Sequence, residues 1–462
     1  MHFRDLFSHG GPAEPDLSAP HRAPADAPPD FVMGVEDTFA LQGSEDLVAV
    51  GFVRGAVHAG DAVYVSNFGD DDGDILLTTV LSIEKGRGRP AARAADCSAA
   101  LRLAHAAKAN VKCGTVLYTR GCAVRDVHNA YVGALRSALA HDPAFFVTRP
   151  AAGQALSATD CQMLLALQGS PPADGGAAPQ TTPENTHRLV QLLCEKLLAA
   201  DTLYCVFSRV TGEPYLFSRT ESQGESWRTS PPRIQLFTKP CREVLSAPFS
   251  DGAYEVREVA KGEDGRGIGQ FLGSAFYLDG ACAASVNSAS VTLEAGLLVP
   301  PPDWSGTPEI RRPVTNPALE RWLLLMAQLD SPAAPEQQKL YTVYVSLMQQ
   351  ALLTAKLLVP MKHEGDIPPG DENGRTVLPQ GLSISLATIH GKEGRPAVRM
   401  FTDWPRLNAG MGGGWEGMLS TAGEMIDRFD CAINLTANEK TGCYISRATY
   451  DAIPRRDAPA AP

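Results

Sequence analysis

No apolar run in this 462-residue chain is long enough to cross a membrane: the longest, such as LLLM at Leu323 to Met326, fall far short of the roughly 20 residues a bilayer core needs. The opening stretch MHFRDLFSHGGPAEP also has no apolar core of signal-peptide length. The expectation is a cytoplasmic chain with no membrane partner. Positive charge is scarce, with 41 Lys+Arg against 52 Asp+Glu and a formal net charge of −11. That balance argues against a broad electrostatic footprint for DNA, RNA or anionic lipid, and leaves open only a local basic patch. Ten cysteines are scattered along the chain with no Cys-x-x-Cys pair, so they read as buried free thiols rather than as a metal site or disulfides.

Catalytic signatures are missing as well. A phosphate-cradling loop needs Gly-x4-Gly-Lys-Ser/Thr, but the only Gly-Lys pair, Gly391-Lys392, is followed by Glu393 and has Leu386 where the first glycine belongs. No Asn-Lys-x-Asp guanine-reading motif and no Gly-x-Ser-x-Gly elbow occurs. No cofactor is expected, although missing motifs do not exclude an enzyme with an unrecognised site.

What is present is enough apolar content, 44%, to build two to four cores. Residues 1–30 carry six prolines among Ala, Asp and Ser and read as a disordered leader. Two further Pro-rich stretches, Ser170 to Asn185 and Val299 to Pro317, read as a linker or long loop and as a connector. The blocks between them are residues 31–120, 130–300 and 315–455.

The first block is a series of short Val/Leu/Ile-rich segments (LVAVGFV, DAVYV, ILLTTVLSI, AALRLA, GTVLYT) separated by Gly, Asp or charged turns, a pattern that suits a small all-β barrel or sandwich. Within GFVRGAVHAGDAVYV, Gly60-Asp61 reads as a turn: glycine tolerates positive φ, and the following aspartate accepts hydrogen bonds from turn amides. The second and third blocks each open on an amphipathic helical pattern (THRLVQLLCEKLLAA; PEQQKLYTVYVSLMQQALLTA). Each continues with a strand (TLYCVFSR; KLLVPM), a second strand ending in Phe-Thr (Arg233 to Thr238; Ala397 to Thr402) and an apolar strand before a polar loop (GACAASVNS; DCAINLTAN). The shared order points to an internal duplication of an α+β unit.

Residues 31–120 resemble the second domain of EF-Tu-type elongation factors, a translation-protein β-barrel. The resemblance rests on Asp37, Phe39, Gly51, Val53, Gly55, Gly60, Asp61, Val63, Val80, Ile83, Glu84, Gly114, Val116 and Leu117, in family order and spacing. The chain departs at GSEDLV, where the family has Gly-x-Gly-Thr-Val, and at Ala95-Asp96, where it has Gly-Asp, so the family's tRNA- and factor-contacting surface is not carried over. The third block is similar to SseB-type (enhanced serine sensitivity) N-terminal domains through NPALERWLLLMAQ, KLLVPM, RPAVRMFTDWPRL and FDCAINLTAN. The second matches that family more loosely through YLFSRT, RIQLFTKP and GACAASVNSAS, which implies two such domains in tandem, the first divergent. The family carries no reaction or catalytic residues over to this chain.

Candidate sites are few. GGGWEG satisfies Gly-x-Gly-x-x-Gly through Gly412, Gly414 and Gly417, but no βαβ unit surrounds it, so it reads as a flexible loop. NFGDDDGD (Asn67 to Asp74) has Phe68 where a calcium loop needs an acid and reads as a solvated hairpin tip, while His363, Glu364 and Asp366 fall in a Pro/Gly/acidic loop. Trp404 and Trp415 flank the Gly-rich segment and form the candidate protein-binding surface, weighed against simple core filling. Arg87 and Arg89, with Lys85 and Arg93, are the one basic cluster of the first block. The expected function is a non-enzymatic adaptor that binds proteins through the barrel or the Gly-rich loop. The alternative is a translation-associated accessory factor that binds ribosome, RNA or a translation GTPase, with RNA not favoured.

Overall fold

The computed structural model describes residues 31–70, 75–86, 88–106, 110–168, 170, 181–224, 226–250, 252–308, 311–329, 334–366, 368, 380–391, 394–435 and 441–455. They form two compact units. One holds the described residues up to Tyr204 with Phe237–Pro248 and Val286–Thr292; the other holds Cys205–Leu236, Phe249–Ser285 and the described residues from Leu293 onward. Residues 1–30, read as a leader, lie outside the described residues, as do 171–180 of the second Pro-rich stretch.

The chain begins with seven strands: β1 (Val32–Ala40), β2 (Leu47–His58), β3 (Ala62–Ser66), β4 (Leu76–Lys85), β5 (Arg89–Ala91), β6 (Arg93–Leu103) and β7 (Val116–Tyr118). They hydrogen-bond in the order β3-β7-β1-β2-β6-β4, and β4 pairs back to β3, so six antiparallel strands close into a barrel while β5 only extends β4. Closure leaves no open sheet edge. The period-two alternation points Met33, Val35, Ala49, Val53, Val57, Val63, Val65, Leu101, Leu103 and Leu117 into one core. Gly60 turns with φ +97°, and the Asp61 carboxylate accepts the His58 amide at 2.7 Å, the corner the sequence implies. The segment expected as a solvated tip is packed in its first half: Asn67 is buried and accepts from the Thr115 hydroxyl at 2.5 Å, and Asp70 pairs with Lys112. Asp71 to Asp74 lie outside the described residues.

Helices α1 (Val124–His141), α2 (Phe145–Thr148), α3 (Pro150–Ala155), α4 (Ala158–Gln168) and α5 (Pro183–Ala199) follow. Helix α1 packs on the barrel wall because Gly34 lacks a side chain: a Cβ there would run into the Ala130 carbonyl and come within 2.9 Å of the Ala134 methyl. The buried Lys112 ammonium lies 2.7 Å from Asp160 on α4 and also pairs with Asp70, and the Tyr131 hydroxyl of α1 donates to Asp160 at 2.9 Å. Burial opposes the charge on Lys112, yet the two carboxylates hold its pKa above the ordinary lysine value.

Next come β8 (Thr202–Ser208), the ribbon of β9 (Thr220–Gln223) and β10 (Ser226–Thr229), β11 (Arg233–Phe237), α6 (Lys239–Leu245), β12 (Tyr254–Ala260), α7 (Gly267–Tyr277), β13 (Ala283–Val286), β14 (Thr292–Glu294) and α8 (Ala295–Leu298). The last stretch holds α9 (Pro317–Gln328), α10 (Pro335–Leu352), β15 (Leu357–Glu364), β16 (Ser383–Leu386), β17 (Thr388–His390), β18 (Pro396–Met400), α11 (Trp404–Met411), β19 (Glu416–Ser420), α12 (Ala422–Met425), β20 (Asp430–Ile433), β21 (Cys443–Ile445) and α13 (Arg447–Asp451).

Two sheets in the chain share a strand order. One sheet runs β12-β8-β11-β13-β14. In the last stretch β19 pairs with β15, β15 meets the end of β18 through reciprocal 2.8 Å bonds between Leu358 and Phe401, and β18 continues to β20 and β21. Setting aside β16 and β17, which pair with β15 and β18, the two strand orders are the same.

Both repeats also carry the same polar latch. Asn287 and Asn434, each just after the closing strand, adopt φ of +57° and +49°. Their side-chain oxygens accept the amides of Thr238 and Thr402 at 2.9 and 3.1 Å, and their amide nitrogens donate to Gln162 and Glu320 at 3.2 and 2.7 Å. Asparagine suits the place because its short side chain tolerates left-handed backbone while reaching two partners. All ten cysteines are free; burial pushes Cys161, Cys431 and Cys443 up to about 12, so these thiols stay protonated at neutral pH. Replacing Asn434 by Ala is expected to cost about 2 kcal/mol in urea unfolding, since it strands two buried partners and strains the backbone, and Asn434→Gly to cost less. Equal stability of Asn434→Ala and the parent would contradict this role.

Candidate functional site

The site grows from the end of β18. After Met400 the strand releases Phe401 and Thr402, and Asp403 caps α11 by accepting the Arg406 amide at 2.9 Å, with Pro405 in the first turn. Gly412 ends the helix at φ +71°, its amide bonded to the Asn408 carbonyl at 3.0 Å, and Gly414 turns again at φ +81° before β19. Gly417 is needed for a different reason: a Cβ on it would lie 2.7 Å from the Trp404 ring and 3.1 Å from Leu358. The missing side chain leaves room for the indole at that place. Each glycine of the apparent Gly-x-Gly-x-x-Gly motif thus has a structural role, and Gly412 stands at the carboxyl end of a helix, where the dipole repels phosphate.

Trp404 lies against Gly417 of β19, and Trp415 immediately precedes that strand. Trp404 keeps 38% of its surface exposed while covering Gly417, and the Lys362 ammonium sits 4.5 Å from the centre of the Trp415 ring. On the other face of the same strands, His363 Nε2 is 3.2 Å from Glu416 and its Nδ1 is 2.7 Å from the Gly365 carbonyl. The Gly365 carbonyl, helped by Glu416, holds the imidazole pKa above its ordinary value. His363 and Glu364, expected in a loop, form the end of β15 instead, and the alternation of a strand sends them to opposite faces. Among the described residues no group of three His, Cys, Asp or Glu side chains is placed to hold a metal ion.

Arg89 lies elsewhere, on the exposed β4–β5 hairpin opposite Lys85, and Arg87 lies outside the described residues. No helix among the described residues is long and apolar enough to cross a membrane.

A cluster that the sequence did not disclose supports the tryptophan face from below. Arg406, two residues beyond Trp404, reaches Asp403 at 2.6 Å, Asp279 at 2.7 Å and Glu320 at 3.1 Å, with Glu213 at 3.8 Å. One guanidinium therefore faces four carboxylates, three of them almost wholly buried. Glu320 Oε2 accepts from Thr402 Oγ1 at 2.9 Å as well as from Asn434, while Oε1 has the Arg406 ion pair as its contact. Burial pushes the Glu320 carboxyl up to about 7; Arg406 pulls the other way, and Asp403 and Asp279 add to the rise. Burial likewise raises Glu213 and Asp279. The available sequence signal was Glu320 itself, a lone carboxylate among the buried leucines of ALERWLLLM, which demands a partner.

The SseB protein N-terminal domain matches residues 333–421. The match ends just past β19, so it contains Trp404, Trp415, Gly412, Gly414 and the edge of the sheet. No curated protein matches the chain. Among solved structures, apo translation elongation factor SelB from Methanococcus maripaludis aligns at 20% identity and a TM-score of 0.18, covering 20% of this chain and 19% of that one. The chain thus spans about a fifth of the length of that structure.

Glu320 carries a pH dependence with a definite sign. Its carboxyl binds a proton more tightly in the folded chain, about 7, than at the ordinary 4.5, so the stabilisation is complete below 4.5 and is lost as pH rises through about 7. The loss is on the order of 3 kcal/mol. Glu320→Gln, which mimics the protonated acid and copies Gln162 of the first repeat, is expected to flatten that fall in thermal melts across the interval; an unchanged slope would contradict the assignment.

Proposed function

We propose that this chain is a cytoplasmic, non-enzymatic adaptor: an EF-Tu domain-2-like barrel followed by two SseB-like α+β domains, the first divergent. Protein partners engage the tryptophan face of the second. The supporting observation is that Trp404 and Trp415 are both partly exposed beside β19, the first lying over the bare Gly417 and the second against the Lys362 ammonium. Rigid indoles on a fixed strand bury large area on binding at little entropic cost. A pull-down from native lysate should recover RNase-resistant proteins on the full chain and lose them, by tenfold or so, with Trp404→Ala and Trp415→Ala together. Recovery that is insensitive to both substitutions would defeat the reading.

A second reading, an accessory factor on the ribosome or a tRNA-like ligand, is favoured by one feature. Lys85 and Arg89 stand directly opposite each other across β4 and β5, with Arg93 two residues beyond β5. Like charges in that register repel, and an anion between them relieves the cost. This reading requires RNA binding that weakens with salt and with Lys85→Ala plus Arg89→Ala; salt-independent binding, or none, would rule it out.

A further inference from the structure

The open edge of β19 has a register that fits a copy of itself. In an antiparallel ladder each residue directs its N–H and C=O to one side. Leu358 spends both groups on Phe401, and Pro360, which has no N–H, accepts the Ala387 amide at 3.1 Å. Both therefore face away from β19, and their cross-strand partners, Leu419 and Gly417, face away from β15. Neither residue has a backbone bond beyond β15 among the described residues, and Leu419 leaves 48% of its surface exposed.

Edges of this kind are normally guarded by charge, proline or a bulge. The equivalent edge strand of the first repeat, β12, is guarded by Glu255, Arg257 and Glu258, the first two paired at 3.0 Å. The sequence of β19, EGMLS, has a single charge at one end and no proline.

We propose that β19 pairs antiparallel with β19 of a second copy of this chain, about a two-fold axis at Met418. That register sets Gly417 opposite Leu419 and Leu419 opposite Gly417, so the outward amides and carbonyls satisfy one another across the axis. Glu416 meets Ser420, so no like charges face each other. The same pairing lays Leu419 of one copy beside the bare Gly417 of the other, against the indole of Trp404 that already lies there. The interface is isologous, with knob and gap two residues apart on one strand.

The proposal deepens the adaptor reading by naming an occupant for the edge beside the tryptophans, and it is tested by the mass of the chain rather than by capture of another protein. Sedimentation equilibrium of the full chain should show the mass rising from one chain towards two as concentration increases. Leu419→Pro removes only an outward N–H and leaves the β15 ladder intact, so it is expected to stay monomeric with an unchanged circular dichroism spectrum. If that variant folds poorly, Leu419→Lys gives the same readout by guarding the edge with charge. A wild-type chain that stays monomeric throughout, or variants that dimerise like the wild type, would overturn the pairing. In either case partner capture that depends on Trp404 and Trp415 would leave the adaptor reading standing.

Discussion

The Arg406 guanidinium carries a disproportionate share of the chain's second repeat. It is the cation among Asp403, Asp279, Glu320 and Glu213, and the first three have almost no access to water. Buried carboxylates survive only if paired or protonated, and here both devices operate: Arg406 takes up some of the charge, while burial raises Asp279 and Glu213 and pushes Glu320 up to about 7. Because Arg406 lies on α11, the same balance fixes the helix that lays Trp404 on Gly417. The surface chemistry of the repeat rests on electrostatics beneath it.

The duplication shows which parts of this arrangement are architecture and which are specialisation. The latch of Thr and left-handed Asn is common to both repeats and closes the sheet in each. What differs is what surrounds it. The helix partner is the neutral Gln162 in one repeat and the titratable Glu320 in the other, and Lys239 follows the latch threonine where Asp403 does in the second. The outer strand is charged in β12 and bare in β19. The bare edge and the partly exposed indoles fall in the second repeat, while the Arg406 cluster draws Glu213 and Asp279 from the first.

Much of the fold was legible because period-two alternation and turn glycines are local signals. Gly60-Asp61 forms the corner its chemistry implies, and the matching Phe-Thr strand ends pointed to the two sheets that share a strand order. The boundary after the barrel was not legible, because α1 docks through the absence of a side chain at Gly34, a long-range fit with no local signature. The tryptophan face was half legible: Trp404, Trp415, Gly412 and Gly414 could be singled out. Lys362 under Trp415 and the Arg406 cluster depend on strand register and on residues distant in sequence, from Glu213 to Arg406.

Amide hydrogen exchange at Gly417 and Leu419 is the most direct test that the β19 face is a binding surface, because their N–H groups point out of the sheet while Glu416 and Met418 point into it. The expected result is rapid exchange at both in dilute protein, with protection gained when the surface is occupied, whether by a second copy at high concentration or by a captured partner. Exchange that stays rapid at both amides under every such condition would contradict the assignment of this edge as an interface.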